Sequence, residues 1–337
     1  MVLSNTNVFI TAIDKNLSGG RPVDKQMSYV KMVYDQRSFT KAAEKLYISQ
    51  PSLSAMIKKA ETELGTAIFD RSCTPLELTE AGRAYMEYID ATVRNETLLS
   101  EKLWDIQNLN KGHIYIGGSN YILSNILPLI LQRMIPRYPD ITFETAEANS
   151  FVLRQMLLSG ALDFVIDSSS EEEPSLIYHD LFEEHILLAI PAADPVNQAL
   201  MEYQITAAQL LDPAQKRRCL PYDLARSALE SPFILLKSEN DMYQRADAVF
   251  RHYKLQPKAL IQLDQLNTSL QYTMYGLGCS FVTDTLFRYG RNCPDICLYA
   301  IDAPLCRRRL CIVHKKGRYI SKAGRLLIQI AQEIFFS

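Results

Sequence analysis

Between Ser38 and Gly65 the string S-F-T-K-A-A-E-K-L-Y-I-S-Q-P-S-L-S-A-M-I-K-K-A-E-T-E-L-G leaves the chain little conformational choice. Phe39, Ala42, Ala43 and Leu46 recur at the i, i+3, i+4, i+7 spacing of a short helix with one buried face, and Ser38 stands where an N-cap belongs. Tyr47, Ile48 and Ser49 leave room only for a tight turn. Ser49 then caps a second helix with Pro51 in its first turn and Gly65 as its stop. The two alanines of the first helix let the second approach closely.

At about 100° per residue, Leu53, Ile57, Ala60 and Leu64 fall on one side of that second helix. Pro51, Ser52, Ala55, Lys58, Lys59 and Thr62 fall on the other. This outward face is small, hydroxylated and basic, and the positive end of the helix dipole adds to it. Two short helices joined by a tight turn, the second presenting such a face, form a helix-turn-helix whose second helix enters the DNA major groove. A further helix begins near Gln26, with Tyr29, Val30 and Val33 on its apolar side. I-F-D-R-S-C-T-P-L-E-L-T reads as two short strands around a loop, a wing with Arg71 near its tip.

A basic helix face alone is more often merely solvated than functional, so the charge distribution matters. From Lys25 to Arg71 eight basic residues face five acidic ones, whereas the whole chain carries a net charge of −2. The positive charge is therefore concentrated where a DNA-binding module requires it. The 337 residues exceed one ordinary core, which leaves room for a second function. No apolar run reaches the roughly 18 residues of a membrane span, and the first 17 residues lack the marks of a secretory signal. Seven cysteines without a disulfide rhythm suit a reducing compartment, so a cytoplasmic location is expected.

The segment from Ser38 to Arg71, followed by L-T-E-A-G at Leu78 to Gly82, strongly resembles the N-terminal domain of LysR-type transcriptional regulators. Looser resemblance continues at I-L-P-L-I-L-Q-R-M-I-P-R-Y-P-D-I from Ile126, at L-L-S-G-A-L-D from Leu157 and at Y-G-L-G from Tyr275. Three positions depart from the family habit: Arg37 replaces a usual glycine, Ala55 a long polar side chain and Ala60 a leucine. The resemblance implies a fold of the α/β class: an all-α winged helix-turn-helix, a long linker helix and a two-lobed effector domain like periplasmic binding proteins. It implies residues 1–22 as an extension, 23–79 as the DNA-binding domain, 80–110 as the linker helix and 111–337 as the effector domain. Lobe I would take about 111–187 and 304–337, and lobe II about 188–303. Gln50, Pro51, Ser52, Ser54, Lys58, Lys59 and Arg71 are then the DNA-binding residues. Gln can read adenine bidentately, whereas the lysines and Arg71 would mainly neutralise phosphates.

From Thr79 to Leu109 there is no proline, and Tyr85, Ile89, Val93, Leu99, Leu103, Ile106 and Leu109 keep an apolar stripe. A second copy of the helix would bury it, so a homodimer or, by resemblance, a homotetramer is expected on an interrupted inverted repeat of double-stranded DNA. RNA polymerase is a further partner if the protein activates. Beyond Gly112, H-I-Y-I-G, I-T-F-E-T-A and L-D-F-V-I-D alternate with helices, as an α/β domain with a mainly parallel sheet requires. P-F-I-L-L, A-L-I-Q-L and S-F-V-T supply strands of the second lobe, and R-L-C-I-V-H returns to the first.

The chain has no phosphate loop, no G-x-S-x-G and no H-E-x-x-H, so neither an enzyme nor a cofactor is expected. Cys293, Cys297, Cys306 and Cys311 offer a rival metal or redox site, although Cys297 and Cys311 lie in apolar, strand-like runs. The acidic stretch Ser168 to Glu173 reads as a solvated connector. Where strands end and helices begin, Ser119, Asn120, Tyr121, Asn149 and Ser150 in one lobe and Lys237, Ser238, Asn267 and Thr268 in the other would line an effector cleft. Helix N-termini and Lys237 favour a small polar anion there. Plain helix capping is the competing role for the short polar residues.

Overall fold

The computed structural model describes residues 25–73, 75–107, 111–169, 172–211, 215, 217–288 and 294–335. The chain divides into two compact units between Leu103 and Trp104. The extension 1–22, Leu109 and Cys293 lie outside the described residues.

In the first unit, α1 (Lys25–Gln36), α2 (Phe39–Lys45) and α3 (Gln50–Leu64) precede a two-stranded wing, β1 (Phe69–Asp70) and β2 (Glu77–Leu78); α4 (Glu80–Ile106) follows. Ser38 caps α2, Ser49 caps α3, and Gly65 ends α3 in the left-handed region at φ 74°. Val30, Val33, Ala42, Ala43, Leu53, Ile57 and Ala60 meet in one core, closed by Ile68 and Phe69 of the wing and by Met86 and Ile89 of α4. Thr79 and Gly82 explain the L-T-E-A-G motif. The Thr79 hydroxyl accepts the Gly82 N–H at 2.9 Å and donates to the Ala67 carbonyl at 2.6 Å, and a Cβ at Gly82 would stand 2.0 Å from the Ile68 carbonyl oxygen.

Two expectations need correction here. Leu64 is 39% exposed, because the buried face of α3 ends at Ala60. Ile89 is buried in this unit's own core, with Tyr85 and Val93 packed against it, so the first half of the apolar stripe is already covered. Periodicity shows that a helix face is apolar; it does not show what covers it. Leu99, Leu103 and Ile106 remain 53%, 47% and 76% exposed.

Among the described residues the second unit is built on two sheets: an eight-stranded one of order β4-β3-β5-β12-β6-β11-β7, with β10 also paired to β6, and a two-stranded parallel one, β8-β9. Its elements run β3 (Gly112–Gly118), α5 (Asn120–Asn125), α6 (Leu127–Met134), β4 (Ile141–Glu147), α7 (Ser150–Ser159), β5 (Phe164–Ser169) and β6 (Leu176–Pro191). Next come α8 (Asn197–Leu200), α9 (Ala207–Leu211), β7 (Cys219–Leu220), α10 (Tyr222–Leu229), β8 (Pro232–Leu236), α11 (Asp241–His252) and β9 (Lys258–Leu263). The chain continues through α12 (Leu266–Met274), β10 (Ser280–Thr283), α13 (Thr285–Arg288), β11 (Ile296–Ile301), β12 (Arg307–Lys315) and α14 (Lys322–Phe335).

β3, β4 and β5 run parallel, as βαβ connections demand. The rest is not mainly parallel: β12, β10 and β11 all lie antiparallel to a neighbour. The cause is β6, sixteen residues long, which leaves β12 at His185 and takes up β10 at Ile186. β6 thus carries the chain from one lobe to the other and β12 returns it, an antiparallel pair of crossover strands. The stretch after β5 is more than a solvated connector, since Glu172 pairs with Arg309 at 2.6 Å and Glu173 with Arg154 at 3.8 Å.

Candidate functional site

Leu53, Ile57 and Ala60 are at most 1% exposed and pin one side of α3 to the core. Gln50, Pro51, Ser52, Ala55, Met56, Lys58, Lys59 and Thr62 consequently face solvent, and Ser54 is half-buried. Pro51 in the first turn holds the backbone in helical φ where no N–H partner is required. Short polar contacts order the start of the helix: the Ser49 and Ser52 hydroxyls meet at 2.8 Å, and the Gln50 amide donates to the Ser54 hydroxyl at 3.1 Å. Lys58 has no ion pair among the described residues, and Lys59 is only loosely paired with Glu63 at 3.8 Å.

Arg71 is less free than its place in the wing suggests. Its guanidinium lies 3.2 Å from Glu61 and 5.1 Å from the centre of the Phe39 ring, while Glu61 also accepts the Ile68 and Phe69 N–H groups. Half its side chain stays exposed, so it ties the wing to α3 while still presenting positive charge. Tyr47, at φ 55° and 95% exposed, stands at the turn before α3. Its own sequence context, a turn residue between two caps, carried no sign of that exposure.

In the second unit the loops named from sequence come together, though largely bonded to one another. Ser119 caps α5 through the Ile122 N–H, and Asn149 caps α7 through the Val152 N–H at 3.0 Å. Across the lobes the Asn267 amide donates to Asn120 at 3.0 Å and the Gln265 amide to Glu147 at 3.1 Å, with Asn120 also donating to Glu147 at 3.2 Å. Ser150 and Thr268 are half-buried beside them, while Ser238 is exposed and its carbonyl accepts from Gln244. Two assignments are corrected. Tyr121 is buried and donates its hydroxyl to Glu184 at 2.8 Å, because the second residue of α5 points inward. Lys237 is bound to Asp264 at 2.8 Å and is no free cation for an anionic ligand.

Sequence reasoning missed a buried polar network where the crossover strands meet both lobes. Arg308 on β12 holds Glu184 on β6 at 2.6 Å and Asp241 on α11 at 2.8 Å. Arg245 donates to Asp241 at 2.7 Å and to the Leu305 carbonyl at 2.8 Å, and Thr285 donates to Glu184 at 2.7 Å. Ser168, from β5 of the first lobe, reaches Asp241 at 3.3 Å. Burial disfavours the Arg308 cation, but Glu184 and Asp241 outweigh it and hold the charge firmly. Burial likewise opposes the Asp241 carboxylate, and Arg308 and Arg245 pull its pKa below the ordinary value. The available signal was a glutamate inside the apolar run of β6; without its distant partner it carried no meaning.

Among the described residues no cluster of three or more His, Cys, Asp or Glu side chains could hold a metal. Burial pushes the Cys306 thiol up to about 11 and the Cys311 thiol up to about 12, far from the thiolate that metal or redox chemistry uses. Cys297 is half-buried and shifted the same way, by the same cause. No helix of the described residues is long and apolar enough to cross a membrane.

A winged helix-turn-helix with an exposed basic face on α3, together with a two-lobed α/β unit, defines the class of ligand-responsive DNA-binding regulators. Residues 25–83 match the bacterial regulatory helix-turn-helix protein, lysR family, and residues 107–335 match the LysR substrate binding domain. The chain belongs to the LysR family and is a LysR-type DNA-binding transcription regulator with an effector-binding domain. It is 29% identical to the uncharacterized HTH-type transcriptional regulator YcgK of Bacillus subtilis (strain 168), over 92% of this chain and 94% of that one. It is 25% identical to a probable RuBisCO transcriptional regulator of Trieres chinensis, over 89% and 93%. Its fold is similar to that of full-length CbnR complexed with its target DNA, with a TM-score of 0.66 at 16% identity over 92% and 98% of the two chains. The effector binding domain of QuiR in complex with shikimate aligns with a TM-score of 0.52 at 17% identity, covering 67% of this chain and 98% of that one.

Proposed function

We propose that α3 lies in the DNA major groove, with Gln50, Ser52 and Ser54 facing bases, Pro51 against the backbone, Lys58 and Lys59 on phosphates and Arg71 beside the wing. The carrying observation is the division of α3 into a buried Leu53/Ile57/Ala60 face and an opposite, exposed face on which Lys58 has no ion pair among the described residues. The protein is a non-enzymatic, cytoplasmic regulator that assembles as a homodimer or homotetramer on an interrupted inverted repeat, and contacts RNA polymerase if it activates. Leu99, Leu103 and Ile106 form the seam between copies, because their exposure would be costly in a monomer. A small effector binds at the lobe junction near Ser119, Asn149, Ser150, Asn267 and Thr268, a reading supported by the similar fold of the QuiR effector binding domain in complex with shikimate.

The test is operator binding by Lys58→Ala/Lys59→Ala across a salt series. Losing two phosphate contacts should weaken affinity and reduce the slope of log K against log salt by about 2. An unchanged slope would remove α3 from the groove. Replacing Leu99 and Leu103 by aspartate should dissociate the assembly in sedimentation while leaving the fold of each unit intact.

A further inference from the structure

One face of α7 carries Ser150, Arg154 and Leu157 at i, i+4 and i+7, and these roof a cavity of about 30 Å³ in the first lobe. Its floor is Val165 and Asp167 of β5, Leu176 and Tyr178 of β6 and Val313 of β12, with Ser168 at its edge. The enclosed part has room for a water or two and opens to solvent, so it fits the head of a small molecule whose remainder extends outward. One side is apolar, made by Leu157, Val165, Leu176 and Val313. The other carries a carboxyl group, hydroxyls and a guanidinium.

The carboxyl group is the informative one. Asp167 is partly buried and accepts the Ser150 hydroxyl and the Ser168 N–H at 2.8 Å, yet no cation pairs with it among the described residues. Burial and, further off, the Asp241 carboxylate disfavour its charge; the Ser150 and Ser168 hydrogen bonds and, last, Arg308 offset this only in part. Arg154 is half-exposed and, among the described residues, ion-paired only with Glu173 at 3.8 Å, a contact weak enough to exchange. A carboxylate without a cation beside a loosely held guanidinium is the complement of a zwitterion.

We infer that this cavity takes the ammonium head of a small α-amino acid at Asp167, with Arg154 at its mouth holding the carboxylate and the side chain directed outward. The inference rests on the effector reading above, places the ligand's head in the first-lobe cavity that shares Ser150 with the junction loops, and names its chemical class. It replaces the anion suggested by Lys237, which is already paired with Asp264. It also supplies a link between the lobes. Ser168 joins the Asp167 segment to Asp241 of the second lobe, so an ammonium group at Asp167 relieves the repulsion between two carboxylates on opposite sides of the junction.

The experiment is calorimetric titration of the full-length protein with glycine, L-alanine and L-valine, with ethylamine and propionate as half-ligands. L-Alanine or L-valine should bind, ethylamine at least about tenfold more weakly, since a charge-assisted contact is worth ~1.5–3 kcal/mol. Asp167→Asn should weaken both amino acid and amine by about tenfold or more. Arg154→Gln, a surface change that leaves folding intact, should reduce the amino acid to the affinity of the amine and leave the amine unaffected. Propionate binding as well as alanine, absence of binding across the series, or amino-acid affinity unmoved by Arg154→Gln would each overturn the assignment. An operator footprint on the wild type separates the two readings. A footprint altered only by metabolites that lack an ammonium group removes the amino acid and keeps the effector reading; a footprint altered by no compound removes the effector reading itself.

Discussion

The exposed face of α3 and the polar network at the lobe junction are built from contacts of different reach. In the first unit the caps of α2 and α3 close within three residues, and the face of α3 is set by side chains three and four apart. In the second, Tyr121 reaches Glu184 across 63 positions, Arg308 reaches Glu184 across 124, and Asn267 reaches Asn120 across 147. The DNA-binding unit is therefore a surface displayed by local rules, and the effector unit a junction held by distant pairs. A change on α3 should act on DNA with little effect on folding, whereas a change at the junction should act on stability and on the relation between lobes together.

The largest effect is expected at Glu184, which is fully buried. Glu184→Ala leaves the Arg308 guanidinium with half its partners, removes the acceptor of the Tyr121 hydroxyl and leaves the Thr285 hydroxyl only its longer contact to Asp284. Breaking a buried pair in this way costs about 3–5 kcal/mol. Urea unfolding of the full chain should show it in the effector unit's transition. A loss no larger than that from Lys58→Ala would break the contrast between the two units.

Asp284 sharpens the same point through pH. It is fully buried, accepts the His185 N–H at 2.9 Å, and lies 2.7 Å from Arg217 and 3.3 Å from Arg288. Burial would raise its pKa, but the His185 hydrogen bonds and Arg217 outweigh burial and lower it to about 2 from 3.8. A depressed carboxylate stabilises the fold at pH values above its unfolded pKa, and that stability disappears as pH falls through the folded value. The contribution is on the order of 2 kcal/mol, complete above about pH 4 and lost toward pH 2. Asp284→Asn should remove it at neutral pH and flatten the acid limb of the stability profile between those limits. An unchanged acid limb would show that the junction is not held by this carboxylate.

The same difference in reach explains what could be read from sequence. The turn, both serine caps, the Pro51 start, the Gly65 stop and the exposed side of α3 follow from spacing alone. Leu64, Tyr85, Ile89 and Val93 did not, because an apolar side chain declares that it needs cover and leaves the cover unnamed. In the effector unit Ser119 and Asn149 were legible as helix starts. That Tyr121 would turn inward to Glu184, and Lys237 bind Asp264, depends on residues brought together by the whole fold. The long β6 was missed for the same reason: its role as a crossover exists only relative to β12.

The smallest effect lies in the first unit and isolates a purely local term. Arg37, where the family resemblance expects glycine, adopts φ 48°, and Tyr47 adopts φ 55°. A left-handed conformation costs an L-residue roughly 1–2 kcal/mol, of which glycine recovers the steric part while adding chain entropy to the unfolded state. Arg37→Gly should therefore stabilise the DNA-binding unit by up to about 1 kcal/mol in thermal unfolding, a rise of a few degrees in its transition. Tyr47→Gly relieves the same strain at the turn before α3, so stability should rise there too. The two differ in what they expose: Tyr47 is 95% exposed next to the N-terminus of α3. A stabilised Tyr47→Gly that also loses operator affinity would make the strained tyrosine a DNA contact, whereas a stabilised variant with unchanged affinity would leave its backbone as a turn and nothing more. If neither glycine variant is stabilised, local backbone rules do not govern this unit and the contrast with the junction fails from its simpler side.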